Sequence, residues 1–458
     1  MIRAPRTTAF AALLVFAIAN GAAANTEPSA FDARSVGLGS TGTAWLDSPA
    51  AVVVNPANLV FLEKGALQLT FQPIFVKQWA PVEGPDTRST SRGFGPMVSG
   101  FAAYRPGPRW VLGAGIYSTT GYSSGFEALS AVSGQPLDEP RDISVRFFAI
   151  ESSLAASVQL HDRVSMGVAL RVPFATQSSE IYQEIFADRG QWAWVDQNLS
   201  GVGYPGGLLG LHVRLVDWVS FGLTYRTKVA IPMSGTTDVE LMPGVVLSDI
   251  ALKTTWYSPH AFQAGFAFLG YGERLLVAID YRVQLHQEAN RVQIFENAFS
   301  KDPLEVPFYQ RNVHTLRLGA EMKASERLSL RLGISRGVSA TSVRGLQYFN
   351  PPPGVSGSVS GGLGLRLRHV DLDFATLYTH IGKYVRHDEE RCAPGVTVKT
   401  GCGGEYGIRS IQLSLSATRR FGAPRPQPAP FPERRVEERL ERQERRSERT
   451  ERRSGDGS

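Results

Sequence analysis

Along most of the chain an apolar side chain returns at every second position. Leu275, Val277, Ile279, Tyr281, Val283 and Leu285 share one face of a segment whose other face takes Asp280, Arg282 and Gln284. Leu328, Leu330, Leu332 and Ile334 stand in the same way against Ser329, Arg331, Gly333 and Ser335. So do Leu372, Phe374 and Tyr378 against Asp371 and Asp373, and Ile411, Leu413 and Leu415 against Gln412, Ser414 and Ser416. A period of two with unlike faces is that of β-strands. A water-soluble sandwich alternates too, but three features favour a membrane barrel. Segments such as Ser144–Leu160 and Glu273–Glu296 exceed the ~5–6 residues of ordinary strands. Short connections at 105–109, 161–163, 215–217, 270–273, 324–327 and 369–370 alternate with long ones near 80–92, 122–142, 179–198, 232–252, 297–308, 340–356 and 386–405. Aromatic residues such as Trp79, Trp110, Trp218, Trp256 and Tyr384 gather near strand ends, like the girdles at membrane interfaces. Six short turns and seven long loops join 14 strands. The predicted fold is therefore an all-β transmembrane antiparallel barrel, with both chain ends on its short-turn side.

Composition fits this reading once the strands are seen to be half polar. In 458 residues, 43% are hydrophobic and 20% charged, with a mean hydropathy of −0.12. Beyond the first 24 residues, no apolar run approaches the ~18–20 residues of a spanning helix. That excludes helical bundles, not barrels, because lipid-spanning strands need only alternate residues apolar. The 46 glycines lie within apolar segments rather than linkers. The net charge of +6 includes Arg3 and Arg6 near the start and a tail from Pro424 with 10 Arg against 7 Glu and 1 Asp, leaving no nucleic-acid footprint on the body.

The two ends differ from the body. Residues 1–24 read as a signal peptide: Arg3 and Arg6, an apolar core at Ala9–Ala19, and Ala22, Ala23 and Ala24 before Asn25. The alternative, a single anchoring helix, would need a longer apolar stretch. Residues 25–65 do not alternate, and they carry enough apolar content to need cover. They are read as a plug in the lumen, the alternative being a flexible leader. The strands fill 66–421. Residues 422–458 begin with Pro at every second position and continue as Glu433–Arg453, with 16 charged residues in 21. This is a stiff spacer followed by a solvated helix or disordered segment, a candidate tether to a periplasmic partner.

The stretch ARSVGLGSTGTAWLDSPAAVVVNPANLV resembles the N-terminal hatch of the long-chain fatty-acid outer-membrane transporter family (FadL type). Later blocks resemble that family's hairpins, among them GLLGLHVRLVDWVSFGLTYRTKVAIPMSGT and HTLRLGAEMKASERLSLRLGISRG. The likeness runs from about Phe31 to Phe421. It implies a hatch that includes Gly37, Gly39, Gly42, Asn55, Pro56 and Ala57, and a third strand over Arg109–Gly121 where a kink could open the wall. It implies passive passage of hydrophobic small molecules, such as fatty acids, across the bacterial outer membrane, without cofactor. Outer-membrane lipids and the barrel-assembly machinery would be its partners. Phe421 looks like the aromatic residue that closes the last strand, although 37 residues follow it.

No metal-ligand spacing, nucleotide-binding glycine pattern or nucleophile elbow appears. His380, His387 and Asp388 read as solvated loop residues, so no catalytic site, metal or enzyme activity is expected. The charges Arg317, Glu321, Arg331, Arg366, Arg368, Asp371 and Asp373 lie on neighbouring strands toward the C-terminal end. They either pair and hold the plug or simply solvate the lumen. Cys392 and Cys402, ten apart in the last long loop, are a candidate disulfide in an oxidising compartment. A scaffold of the same fold for surface or secretion partners, and a small general pore, are the competing functions.

Overall fold

The computed structural model describes residues 30–422 except 85, 187–190, 243, 290–291, 298–303, 369 and 386–402. Residues 1–24, read as a signal peptide, together with His387, Asp388, Cys392, Cys402 and the charged tail, lie outside the described residues. β1 (Gly65–Ala80), β2 (Ser89–Tyr104), β3 (Trp110–Val132), β4 (Gln135–His161) and β5 (Val164–Phe186) are continuous. The next five spanning strands are each broken in two. They are β6 (Gln191–Val202) with β7 (Gly206–Val216), β8 (Val219–Arg226) with β9 (Val229–Met242), and β10 (Val245–Ser258) with β11 (Ala261–Gly270). β12 (Leu275–Gln284) with β13 (Val292–Asn297), and β14 (Leu304–Pro307) with β15 (Val313–Lys323), complete the five. β16 (Leu328–Val338), β17 (Val355–Arg366), β18 (Asp371–Val385) and β19 (Gly404–Phe421) follow. β19 pairs back onto β1, with Phe421 opposite Gly65, so the sheet closes as an antiparallel barrel of 14 spanning strands.

All six short turns fall where the alternation places them. Of the long connections, those near 80–92 and 340–356 also fall as expected, but three differ. Residues 122–142 and 232–252 are mostly strand, because β3 and β4 meet at a tight turn at Ser133 and Gly134, and β9 runs to Met242 before β10 starts at Val245. The turn at Ser133 and Gly134 has φ of 57° and 78°, as a two-residue hairpin turn requires. Likewise β5 extends to Phe186 and β6 starts at Gln191. Polar outward residues disguised these extensions as loops.

The breaks in five adjacent strands form one seam across the wall. Pairing confirms the level: Arg226 lies opposite both Leu208 and Ala261, and Gln284 lies opposite both Ala261 and Val313. A short helix, α3 (His286–Ala289), fills the break between β12 and β13. Below the seam the strands have 8 to 11 residues. At ~3.3 Å per residue and a tilt of ~40° they rise roughly 20–28 Å, close to the ~25 Å apolar band of outer-membrane barrels.

Polarity inverts at this seam. In the lower wall the outside is apolar: Leu67 and Leu69 are 51% and 69% exposed, while Gln68, Thr70 and Gln72 on the opposite face are 3%, 2% and 1% exposed. In the upper sheet of β6, β9 and β10 the inside is apolar, with Val195, Leu199, Ile231, Met233, Leu252 and Trp256 buried. There the outside carries Asp196, Asn198, Ser234, Asp238 and Lys253. Lipid around the lower wall and water around the upper wall account for both halves.

Residues 30–62 do not pair with the sheet. They form α1 (Ala33–Gly37), α2 (Ala51–Val54) and a 3₁₀ helix at Pro56–Phe61, capped by the Asp32 and Asn55 side chains. Their partners lie around the whole ring. The Ala33 N–H donates to Ser416 Oγ on β19 (2.8 Å), the Gly42 N–H to Asp280 Oδ2 on β12 (2.9 Å), and Ser165 Oγ on β5 donates to the Ala57 carbonyl (3.0 Å). A segment that touches β5, β12 and β19 together lies in the lumen of the lower wall.

Candidate functional site

The lumen is divided into three levels. At the bottom, residues 30–62 sit on a wall smoothed by glycine. A Cβ at Gly210 of β7 would lie 2.1 Å from Asn55 Oδ1, and one at Gly167 of β5 would lie 2.4 Å from the Pro56 carbonyl carbon. On the other side, a Cβ at Gly333 of β16 would lie 2.0 Å from the Gly39 nitrogen. Gly39 itself has φ +66° and stands so close to the backbone of β15 and β16 that a Cβ there would be 2.7 Å from the Leu318 carbonyl oxygen. A Cβ at Gly37 would lie 3.3 Å from the Gly362 Cα of β17, and one at Gly42 would lie 3.1 Å from Val54 Cγ1. All six residues read from the sequence as hatch positions are therefore inside the barrel, and each meets the wall, Gly42 through Asp280 and Ala57 through Ser165.

Buried charges hold this segment. Arg34 of α1 gives a two-pronged pair to Glu321 of β15, at 2.8 and 2.9 Å, and reaches Asp47 at 2.5 Å. Glu321 also accepts from Arg331 Nε (2.6 Å), and Arg331 pairs with Asp373 of β18 (2.7 Å). Nearer the rim, Arg420 pairs with Asp371 (3.0 Å) and donates to the Asp47 carbonyl (2.9 Å). Burial alone would raise the Asp47 carboxyl, but Arg34, Arg420 and Arg366 outweigh it and hold it below the usual carboxylate range.

The structure thus brings together Glu321, Arg331 and Asp373, with Asp371 at the edge. It does not place Arg366 and Arg368 there. Both are exposed on the rim, Arg366 with 64% of its side chain accessible, because the strand ends at Arg366 and the turn carries Arg368 outward. Arg317 is buried but higher up, beside Asp280 and Arg282.

Two anchors were not singled out in the sequence. Asp280 Oδ2 accepts from the Gly42 and Thr43 N–H groups, from Thr43 Oγ1 (2.7 Å) and from Gln263 (3.0 Å). On β4, Glu151 accepts from Arg171 (2.8 Å), Arg226 (2.6 Å) and the Tyr117 hydroxyl (2.9 Å), all buried. Tyr117 in turn packs edge-on against Phe31 (4.9 Å). The available signal for Glu151 was a lone charge at an inward position of an otherwise apolar or small-residue strand, whereas Asp280 shares its inward face with Arg282 and Gln284.

The top of the lumen is an apolar cluster. Residues 339–354, the connection between β16 and β17, fold inward and add Leu346, Tyr348 and Phe349 to Phe126, Phe147, Trp256 and their neighbours. Gln78 Nε2 donates to the Tyr348 carbonyl (2.7 Å), and the Tyr348 hydroxyl meets Ser133 Oγ (3.0 Å).

Between plug and roof lies a cavity of about 470 Å³. Ala30, Val36 and Ser40 form its floor, Pro351 lies toward the roof, and Val76, Phe147, Ile381 and Ile408 give apolar walls. Its polar side carries Arg282, Gln284 and Arg317; Arg317 is buried, yet its Nη1 has no hydrogen-bond partner among the described residues.

The cavity also reaches Phe94 and Pro96 of β2 and Arg146 and Phe148 of β4. Arg146 and Phe148 alternate with the buried Val145, Phe147 and Ala149, so they lie on the outer face. The wall is open at this point. β2 and β3 pair only over Ser99–Tyr104 and Leu112–Tyr117, and a bulge at Ser118–Thr120 then turns β3 away toward β4. The two strands meet again at Ser91, which accepts from the Gly125 N–H at 2.9 Å. The gap sits in the upper part of the apolar belt, at the end of the segment read as the kinked third strand.

No protein-family model and no curated protein matches the sequence. Solved structures share the fold. A Pseudomonas aeruginosa FadL homologue superposes with a TM-score of 0.71 at 15% identity, over 87% of this chain and 100% of its own. The toluene transporter TbuX of Ralstonia pickettii gives 0.69 at 17% identity, over 87% of this chain and 100% of its own. The toluene transporter TodX of Pseudomonas putida gives 0.69 at 15%, over 86% of this chain and 100% of its own.

Proposed function

We propose that the protein is an outer-membrane channel through which hydrophobic molecules cross passively, with residues 30–62 as a hatch. The carrying observation is the cavity that is closed above and below but runs out through the wall between β2 and β3. A polar solute gains nothing from such a route. An apolar one is drawn into the cavity by ~0.8 kcal/mol for each CH₂ buried and passes sideways into the lipid. The fold shared with toluene transporters supports the same reading.

Within this class, the cavity favours an amphiphile with one anionic head, such as a fatty acid, over a neutral hydrocarbon. The unpartnered Arg317 nitrogen offers a charge-assisted hydrogen bond to a carboxylate, and the apolar walls take the chain. Uptake of labelled oleate and of toluene by cells with and without the protein tests the proposal. Faster uptake of at least one solute is expected, and no difference for either overturns it. Arg317→Gln should lower oleate uptake about tenfold, the equivalent of ~1.4 kcal/mol, and leave toluene unchanged.

A further inference from the structure

The outer wall ends at its short-turn side in a sector that is both basic and apolar. Across β16 to β19 the lipid-facing columns descend through Leu330, Leu363, Leu365, Leu372 and Leu415. Directly beneath them stand Arg327, Arg368 and Arg419, all exposed. The Arg366 N–H donates to the Arg327 carbonyl at 2.8 Å, which sets these two turns side by side. Arg419 continues the outward face of β19 below Leu415 and Ala417, and its guanidinium lies over the Phe421 ring at 5.5 Å. Leu367, in the turn beside Arg368, is 47% exposed. The neighbouring acid Asp371 is already taken by Arg420 and lies near Arg366; Glu326, exposed beside Arg327, is the other acid of these turns, so the sector keeps an excess of positive charge. Above the seam the outward face mixes both signs instead, with Arg141 paired to Glu180 and Glu240 and with Asp196, Asp238 and Lys253 nearby.

We propose that this sector, formed by Arg327, Arg368 and Arg419 beneath the apolar belt, binds the head groups of anionic phospholipids in the periplasmic leaflet. The juxtaposition selects a lipid. Guanidinium groups chelate phosphodiester oxygens, and the acyl chains of the same molecule find exposed leucines close by: Leu367 adjoins Arg368, Leu365 lies opposite Leu328 next to Arg327, and Leu372 lies opposite Ala417, two residues from Arg419. A free anion or an acidic peptide would use the charges and leave the leucines uncovered. Basic clusters at the edge of a bilayer attract anionic lipid in general; here the charges occupy one sector, so the binding is local.

The test uses the full protein in nanodiscs of mixed phosphatidylglycerol and phosphatidylcholine, with retained lipids counted by native mass spectrometry. Wild type should retain phosphatidylglycerol about tenfold over phosphatidylcholine. The combined variant Arg327→Gln, Arg368→Gln, Arg419→Gln should lose that preference, with thermal stability in pure phosphatidylcholine and oleate binding unchanged. Equal retention of both lipids by wild type overturns the proposal, and so does a preference that survives in the variant. Displacement of the bound lipid by millimolar inorganic phosphate would also overturn it, in favour of a free-anion site.

Discussion

At the scale of single residues, two kinds of position decide whether the plug stays seated. Wall glycines supply the space. Gly210→Val would drive a side chain into Asn55 and Pro56, with no room for either backbone to retreat. The expected result is a folded barrel whose residues 30–62 are cut by protease under conditions that spare wild type. Buried charges supply the grip. Glu151→Gln leaves Arg171 and Arg226 facing each other without their shared carboxylate, and loss of one partner from such a group costs about 3–5 kcal/mol. A clearly lowered midpoint in a urea titration is expected, and an unchanged midpoint would show that Glu151 carries no structural weight.

Asp47 contributes to the acid response. Its folded carboxyl titrates below its unfolded value of ~3.9, so the stabilisation is present above that value and is lost as pH falls through the folded one. Protease protection of residues 30–62 should therefore stay constant from pH 8 to pH 4 and fall only below that. Loss of protection between pH 6 and 5 would place the controlling group elsewhere.

Among the elements, β3 matters most for passage. The bulge at Ser118–Thr120 adds one residue against β4 and draws β3 off β2. Deleting Thr119 removes the extra residue and keeps the inward and outward faces beyond it unchanged, since Thr120 already pairs with Ala149. The shortened strand should close onto β2, and solute uptake should fall to background while the barrel still assembles. Period-two patterning made the lower strands and all six short turns legible in the sequence, because lipid demands an apolar outer face there. It misplaced three of the long connections, because above the seam the same strands face water outside and an apolar core inside. The gap and an apolar pocket were suggested only by resemblance, and the residues that line the cavity not at all. Both depend on which neighbouring strand a residue pairs with, which alternation along one strand does not encode. The charge cluster was half legible for the same reason: inward parity selected Glu321, Arg331 and Asp373, but not the height at which Arg317, Arg366 and Arg368 sit.

For the molecule as a whole, the lumen is blocked twice, by residues 30–62 below and by residues 339–354 above. Intact protein in planar bilayers should show little ion conductance. Removing residues 30–62 alone should not produce a wide pore, because Leu346, Tyr348 and Phe349 still fill the upper lumen. Removing the plug and replacing residues 342–350 by a short glycine linker should. A large conductance from the intact protein would contradict the doubly blocked lumen.

The Ala33–Ser416 hydrogen bond spans 383 positions of sequence, and its consequence lies in time rather than space. The plug is the first part of the described chain to leave the ribosome, yet its socket is made of strands up to the last. No partial chain can seat it, however many hairpins have formed. Seating and the pairing of β1 with β19 must therefore come late and together, and a chain that stalls before that moment is left with an open sheet edge and an unfastened N-terminal segment.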